Sequence, residues 1–248
     1  MPGLVELLAI GYMACQCIGA QVFPTIWTQR VKGHFALGPA QWKSALALPT
    51  QVIFFPAIIL SGLWEHGHIE GWCSVPGGVW GSASSRAFVY CFALFLLLDF
   101  IIIELDQLRS ILIAHHVICL IGHIIAMSFP SAWPWYVCGS VTLELGSASC
   151  NYYCLHSNRH RATIYVAGMT LSNLTAIGCM LRFLELSGAG TGWKVIITST
   201  SLALIHFGRR RRDLYGTRSC QTCRGPLQSC DEVASSFPPR GKHLPYKL

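Results

Sequence analysis

The chain has 248 residues, of which 52% are hydrophobic and only 12% charged, and its mean hydropathy is +0.47. A soluble domain carries about a quarter charged residues, so this composition argues against an ordinary soluble domain and predicts a polytopic membrane protein of one domain. The net charge is +7, but the surplus is concentrated in the tail at Arg209–Arg212; no basic folded surface is apparent, which excludes nucleic acid as a partner and makes the tail a topology signal beside anionic lipid.

Read from the N-terminus, the first apolar run follows Glu6 rather than a basic segment, so it is expected to be a retained span and not a cleaved signal peptide. About seven runs approach the ~17–25 residues a bilayer requires: Leu4–Phe23, Ser44–Trp64, Ala87–Leu105, Arg109–Phe129, Trp133–Leu155, Ala162–Leu186 and Trp193–Phe207. Pro49 and Pro56 predict a kink in the second. The segment Glu65–Arg86, rich in glycine and serine, reads as an irregular lumenal loop. Beyond Gly208 the chain turns polar and reads as a mostly disordered cytosolic tail over 209–248, after an N-terminal span and cytosolic loop over 1–43 and a membrane domain over 44–208.

Basic-residue bias orients the bundle. With seven spans and a cytosolic C-terminus, the N-terminus is lumenal; Arg30, Lys32, Lys43, Arg109, Arg159, Arg161 and the tail arginines then fall on the cytosolic side, as the positive-inside rule requires. Trp27, Trp42, Trp64, Trp133, Trp135 and Trp193 cluster near span ends, like an aromatic belt. The 12 cysteines do not make a secreted disulfide scaffold, because most, including Cys15, Cys17, Cys91, Cys119, Cys138, Cys150 and Cys179, lie within apolar runs where a thiol is a small hydrophobe.

Three consecutive spans carry polar seams at helical spacing. The fifth has Ser140, Glu144, Ser147, Asn151 and Cys154; the fourth has Arg109, His116 and His123 with Cys119 alongside; the third has Asp99 and Asp106. Ionisable groups inside a bilayer are costly and usually face a protein interior, so the seams are expected to surround a shared cavity in the cytosolic half of the membrane. At 1.5 Å per residue, His115 and His116 lie roughly 10 Å inward from Arg109. A histidine beside a carboxylate suits general acid/base or nucleophilic work. Adjacent helical residues diverge by ~100°, so one histidine faces the cavity and the other braces a neighbour; His116 is favoured for the cavity because it shares a face with Arg109 and His123. His123 and Glu104 read as structural and interfacial respectively. The plainer alternative is that these groups are only interhelical hydrogen-bond glue.

No metal site is expected. His115-His116 and His156-x-x-x-His160 are too few for a membrane di-iron centre, and Cys220-x-x-Cys223 with Cys230 lacks a fourth ligand for zinc; palmitoylation, or no role at all, suits those cysteines better. The Asn173-Leu-Thr175 sequon lies inside a span.

The run Tyr90–Asp99, the pair His115-His116 with Gly122 downstream, and Leu143-Glu144-Leu145-Gly146-Ser147 reaching Asn151 resemble the TLC-domain family, which includes ceramide synthases and translocon-associated membrane proteins. The resemblance covers roughly Arg86 to Arg212. It implies an all-α fold, a six-helix barrel around a lipid-accessible tunnel with one extra helix. In ceramide synthases the histidine pair takes part in acyl transfer from acyl-CoA to a sphingoid base; the matching positions are His115 and His116, with Asp99 as supporting acid. Those enzymes carry two aspartates in the following span, where this chain has Glu144 and Asn151, so it looks more like the non-ceramide-synthase branch. The expected protein is an acyltransferase-like enzyme of the endoplasmic reticulum or another endomembrane. It would have no bound cofactor, acyl-CoA as co-substrate, membrane lipids as partners, and Glu144, Ser147, Asn151 and Arg109 contacting substrate. The alternative is a non-catalytic lipid-binding, sensing or chaperone-like protein.

Overall fold

The computed structural model describes residues 39–102, 109–155 and 159–199, together with 7, 10–12, 14, 16 and 202. All of these lie in the unit Met1–Arg210; Arg211–Leu248 is a separate unit outside the described residues, and the expected tail, its arginines and its cysteines fall there or in the undescribed residues before it. Among the described residues every regular element is helical. The helices are α1 (Pro39–Pro49), α2 (Phe55–His66), α3 (Ile69–Cys73), α4 (Ala83–Ile102), α5 (Arg109–Met127), α6 (Trp133–Leu155) and α7 (Arg159–Leu186). A further helical stretch covers residues 191–199.

The two prolines of the second run act together. Between α1 and α2 the chain forms a π-helical segment, Thr50–Phe54, in which the Phe55 N–H donates to the Thr50 carbonyl. Pro56 has no N–H to give, so an α-helical ladder would be broken at this point, and a π segment is one of the ways a helix absorbs such a break. The expected interruption is therefore a local widening with the helical path carried on to His66. Gly67, at φ 76°, ends α2 in the left-handed region that favours glycine.

The helices pack mainly through α6, which meets α7 along its length and also contacts α1, the π segment and α2. The α6–α7 seam has an antiparallel seven-residue repeat. Tyr153 stacks on Tyr165 with ring centroids 5.8 Å apart; a Cβ built on Gly146 would run into Ser172 Oγ, and one on Gly139 would lie 3.2 Å from Cys179 Cβ. The small residues at the Gly146–Ser172 and Gly139–Cys179 contacts let the two backbones approach closely, a common solution for helices packed in lipid. A second cluster of rings closes the other side: buried Phe55 contacts Phe88, Phe92 and Phe95 at centroid distances of 5.4 to 5.9 Å.

Several expectations change. The loop after α2 is not irregular: α3 and a 3₁₀ turn at Gly78–Trp80 fold it over the helix ends. Trp72 is buried, donating its indole N–H to Ser85 Oγ at 2.9 Å. Gly78, at φ 59°, approaches Pro130 so closely that a Cβ there would sit 2.6 Å from the proline Cβ. The described residues alone do not reach the seven expected spans. Among the described residues two helical runs, Ser44–His66 and His160–Leu186, are long and apolar enough to cross a membrane, while the apolar parts of α4 and α5 are shorter, Ala83–Leu98 and Ile113–Met127. α6 is 23 residues long, but its own polar stripe lowers its hydropathy. The first and last expected spans are described only in part, and Glu104 and Asp106 lie outside the described residues.

Candidate functional site

α5, α6 and α7 enclose a cavity of about 160 Å³. Its two ends differ in chemistry. At one end stand His115 and Cys119 from α5 and Glu144 and Ser147 from α6; at the other are Ala126, Trp135 and Phe183, with Ile197 from the stretch after α7. His115 and Ala126 are eleven residues apart on α5, so the polar and apolar ends are separated by roughly 16 Å of helix rise. The cavity thus extends well beyond its polar end along the helices.

Each polar group is placed by its helix register. His115 Nε2 lies 3.7 Å from Cys119 Sγ, one turn further along the same face. His115, not His116, lines the cavity; His116 is buried without lining it, with the two rings at a 5.3 Å centroid distance and 61° to each other. Splitting the pair between cavity and bundle matches their ~100° divergence, but the assignment is the reverse of the one expected. Sharing a face with His123 misled the expectation, because His123 belongs to the aromatic core. It is buried, its Nδ1 lies 3.2 Å from the Tyr136 hydroxyl, and its ring packs on Phe92 and Trp133 at 5.4 Å.

Glu144 and Asn151 belong to a buried chain of hydrogen bonds. Gln51 donates from Nε2 to Glu144 Oε2 at 2.7 Å, and its Oε1 accepts from Asn151 Nδ2 at 2.8 Å. Ser44 completes the chain by donating to Asn151 Oδ1 at 3.3 Å. One amide thus spans two turns of the α6 stripe, and the π segment supplies it. Thr50 beside it donates to the Tyr12 hydroxyl at 3.2 Å, while Gln16 donates to that hydroxyl at 2.7 Å. No motif announced Gln51, Ser44 or Tyr12. The available signal was a pair of polar residues, Thr50 and Gln51, between two prolines in an otherwise apolar run.

Of the expected site residues, His115, Glu144 and Ser147 meet at the cavity, Asn151 lies one step along the hydrogen-bonded chain, and His116 is packed behind. Asp99 and Arg109 occupy helical backbone positions, but their side chains lie outside the described residues. No family model, curated protein or solved structure matches the chain. The site's chemistry therefore stands on its own geometry. That geometry offers a nitrogen base, a thiol and a fixed carboxylate at one end of a mainly apolar chamber that also has Ser140 and Asn173 along its walls. Among the described residues no group of three or more His, Cys, Asp or Glu side chains is arranged to hold a metal. Trp135 adds an indole N–H at the far end that has no hydrogen-bond partner among the described residues.

Proposed function

We propose that the chain is a membrane-embedded, acyltransferase-like protein of lipid metabolism, resembling the TLC-domain family. The observation that carries this reading is the graded cavity, which pairs polar, reactive groups at one end with an apolar chamber at the other. A fatty-acyl group has the matching order of polarity: a reactive carbonyl joined to a hydrocarbon tail. The carbonyl would stand near His115 while the tail extends toward Phe183 and Ile197.

Membrane embedding is supported by where the apolar side chains point. Only 33% of the apolar window in Ser44–His66 and 28% of that in His160–Leu186 is buried inside the protein. Core helices of a soluble protein would be mostly covered. Here Leu171, Leu174 and Leu181 on α7 are 58 to 68% exposed, and such a face is stable only against hydrocarbon or another apolar surface. In this reading the fuller seven-span bundle, with a six-helix barrel and an extra helix, includes the undescribed segments. The basic residues orient it with the N-terminus lumenal and the C-terminus cytosolic, in the endoplasmic reticulum or another endomembrane. Acyl-CoA is the co-substrate and a membrane lipid the acceptor.

In this mechanism His115, which lines the cavity, is the general base that takes a proton from the attacking group. Glu144, held by Gln51, and Ser147 position the acceptor at the cavity edge. A second reading, a non-catalytic lipid carrier or sensor, is favoured by the Gln51–Glu144–Asn151 chain, which ties down the two polar residues expected to hold substrate. Purified protein in detergent, given isotope-labelled palmitoyl-CoA and mixed membrane lipids, separates the two. The acyltransferase reading expects a new acyl-lipid from wild type and its loss in His115→Ala. Co-purified lipid with no product from either form would favour the carrier.

A further inference from the structure

We propose that Cys119 is the acyl acceptor of the site, forming a covalent thioester intermediate with His115 as its base; this rests on the acyltransferase reading above. Neither sequence spacing nor the resemblance assigns this cysteine a role. What distinguishes it from the other described cysteines is its company. Cys91, Cys138, Cys150 and Cys179 are packed or partly packed in the helix bundle without lining the cavity, whereas Cys119 both lines it and lies 3.7 Å from a ring nitrogen that lines it too. A thiol with an imidazole within hydrogen-bond reach is the arrangement of an activated sulfur nucleophile. It lies on α5 one turn further toward the apolar chamber than His115, so an acyl group joined to the sulfur would already have its tail directed toward Ala126 and Phe183.

The chemistry balances without an added oxidant or reductant. With His115 as its Nδ1–H tautomer, Nε2 takes the thiol proton as Cys119 Sγ attacks the thioester carbonyl of acyl-CoA. The new sulfur–carbon bond forms, the old one to coenzyme A breaks, and the proton passes from His115 to the departing sulfur, giving free coenzyme A. In the second half a hydroxyl or amine of the acceptor lipid attacks the Cys119 thioester. His115 takes its proton and returns it to Cys119 Sγ as the acyl group leaves on the acceptor. Exchange between thioesters is close to isoenergetic, which suits an intermediate that must form and discharge in both directions.

The test is a short incubation of the wild-type full chain in detergent with palmitoyl-CoA, without acceptor lipid, followed by peptide mapping by mass spectrometry; a parallel sample with mixed lipids is assayed for acyl-lipid product. The expected result is a palmitoyl mass on Cys119 that hydroxylamine removes, that accumulates without acceptor and that falls when lipid is added. Cys119→Ser, checked for folding by size-exclusion chromatography, should lose the adduct at that position and at least tenfold in product formation. A palmitoyl mass on His115 or His116 instead would overturn the proposal and leave the acyltransferase reading standing. So would product formation by wild type with no protein adduct, or undiminished product formation by Cys119→Ser. Neither adduct nor product from folded wild type would bring down both readings.

Discussion

Gln51 is the residue on which the polar interior depends. It is buried, and its single amide bonds Glu144 on one side and Asn151 on the other, so replacing it removes two buried hydrogen bonds at once. Interhelical hydrogen bonds in membranes contribute about 1–2 kcal/mol each in model systems and often less. Gln51→Leu should therefore lower the thermal midpoint in detergent clearly, while Glu144→Gln, which keeps an acceptor oxygen facing the Gln51 amide, should lower it less. Equal midpoints for wild type and Gln51→Leu would show that the chain of bonds contributes nothing. A second prediction concerns Cys73, outside the apolar helical runs. Partial burial and then the neighbouring Glu70 carboxylate push its thiol up from its ordinary value. The thiolate fraction at a given pH is then smaller than for a free cysteine, so iodoacetamide should label Cys73 more slowly than a free thiol near pH 8, with the gap closing as pH rises. Faster labelling than free cysteine would contradict this. At this scale the sequence was half legible. Histidine spacing identified a pair divided between two faces, and the α6 stripe identified Glu144 and Ser147. The partner of that stripe was not legible, because a glutamine 93 residues upstream of Glu144 meets it only through tertiary packing.

Among the elements, the fifth expected span and α6 share the same bounds, Trp133–Leu155, because Trp133-Pro134 gives a strong helix start and the run is uninterrupted. The loop after α2 was misread, since glycine and serine content says nothing of a tryptophan that folds back on the helix ends. The α6–α7 seam yields the sharpest test of packing. Gly146→Val would drive its side chain into Ser172, and overpacking of a close contact costs about 1–3 kcal/mol, occasionally more. Gly178→Ala on α7 meets nothing within 4 Å and serves as a matched control. We expect Gly146→Val to reduce the yield of monodisperse protein and its midpoint, with Gly178→Ala indistinguishable from wild type. A fully stable Gly146→Val would mean that the two helices do not approach as closely as the structure has them.

For the whole molecule, composition and periodicity made the all-helical class legible, and the outward apolar faces are what membrane embedding would require. The depth of the cavity was not legible. Sequence seams mark where polar groups lie, whereas the chamber beyond them is defined by the small and aromatic residues of three helices, which carry no distinguishing pattern of their own. The central claim is that this chamber holds an acyl tail. The direct measurement is photocrosslinking of the purified protein with a palmitoyl-CoA analogue bearing a diazirine near the end of its chain, followed by peptide mapping. The account predicts labelling of inward residues at the apolar end of the cavity, among them Ala126, Trp135 and Phe183, suppressed by excess palmitoyl-CoA. Labelling confined to the outward Leu171, Leu174 and Leu181, and insensitive to competitor, would contradict it.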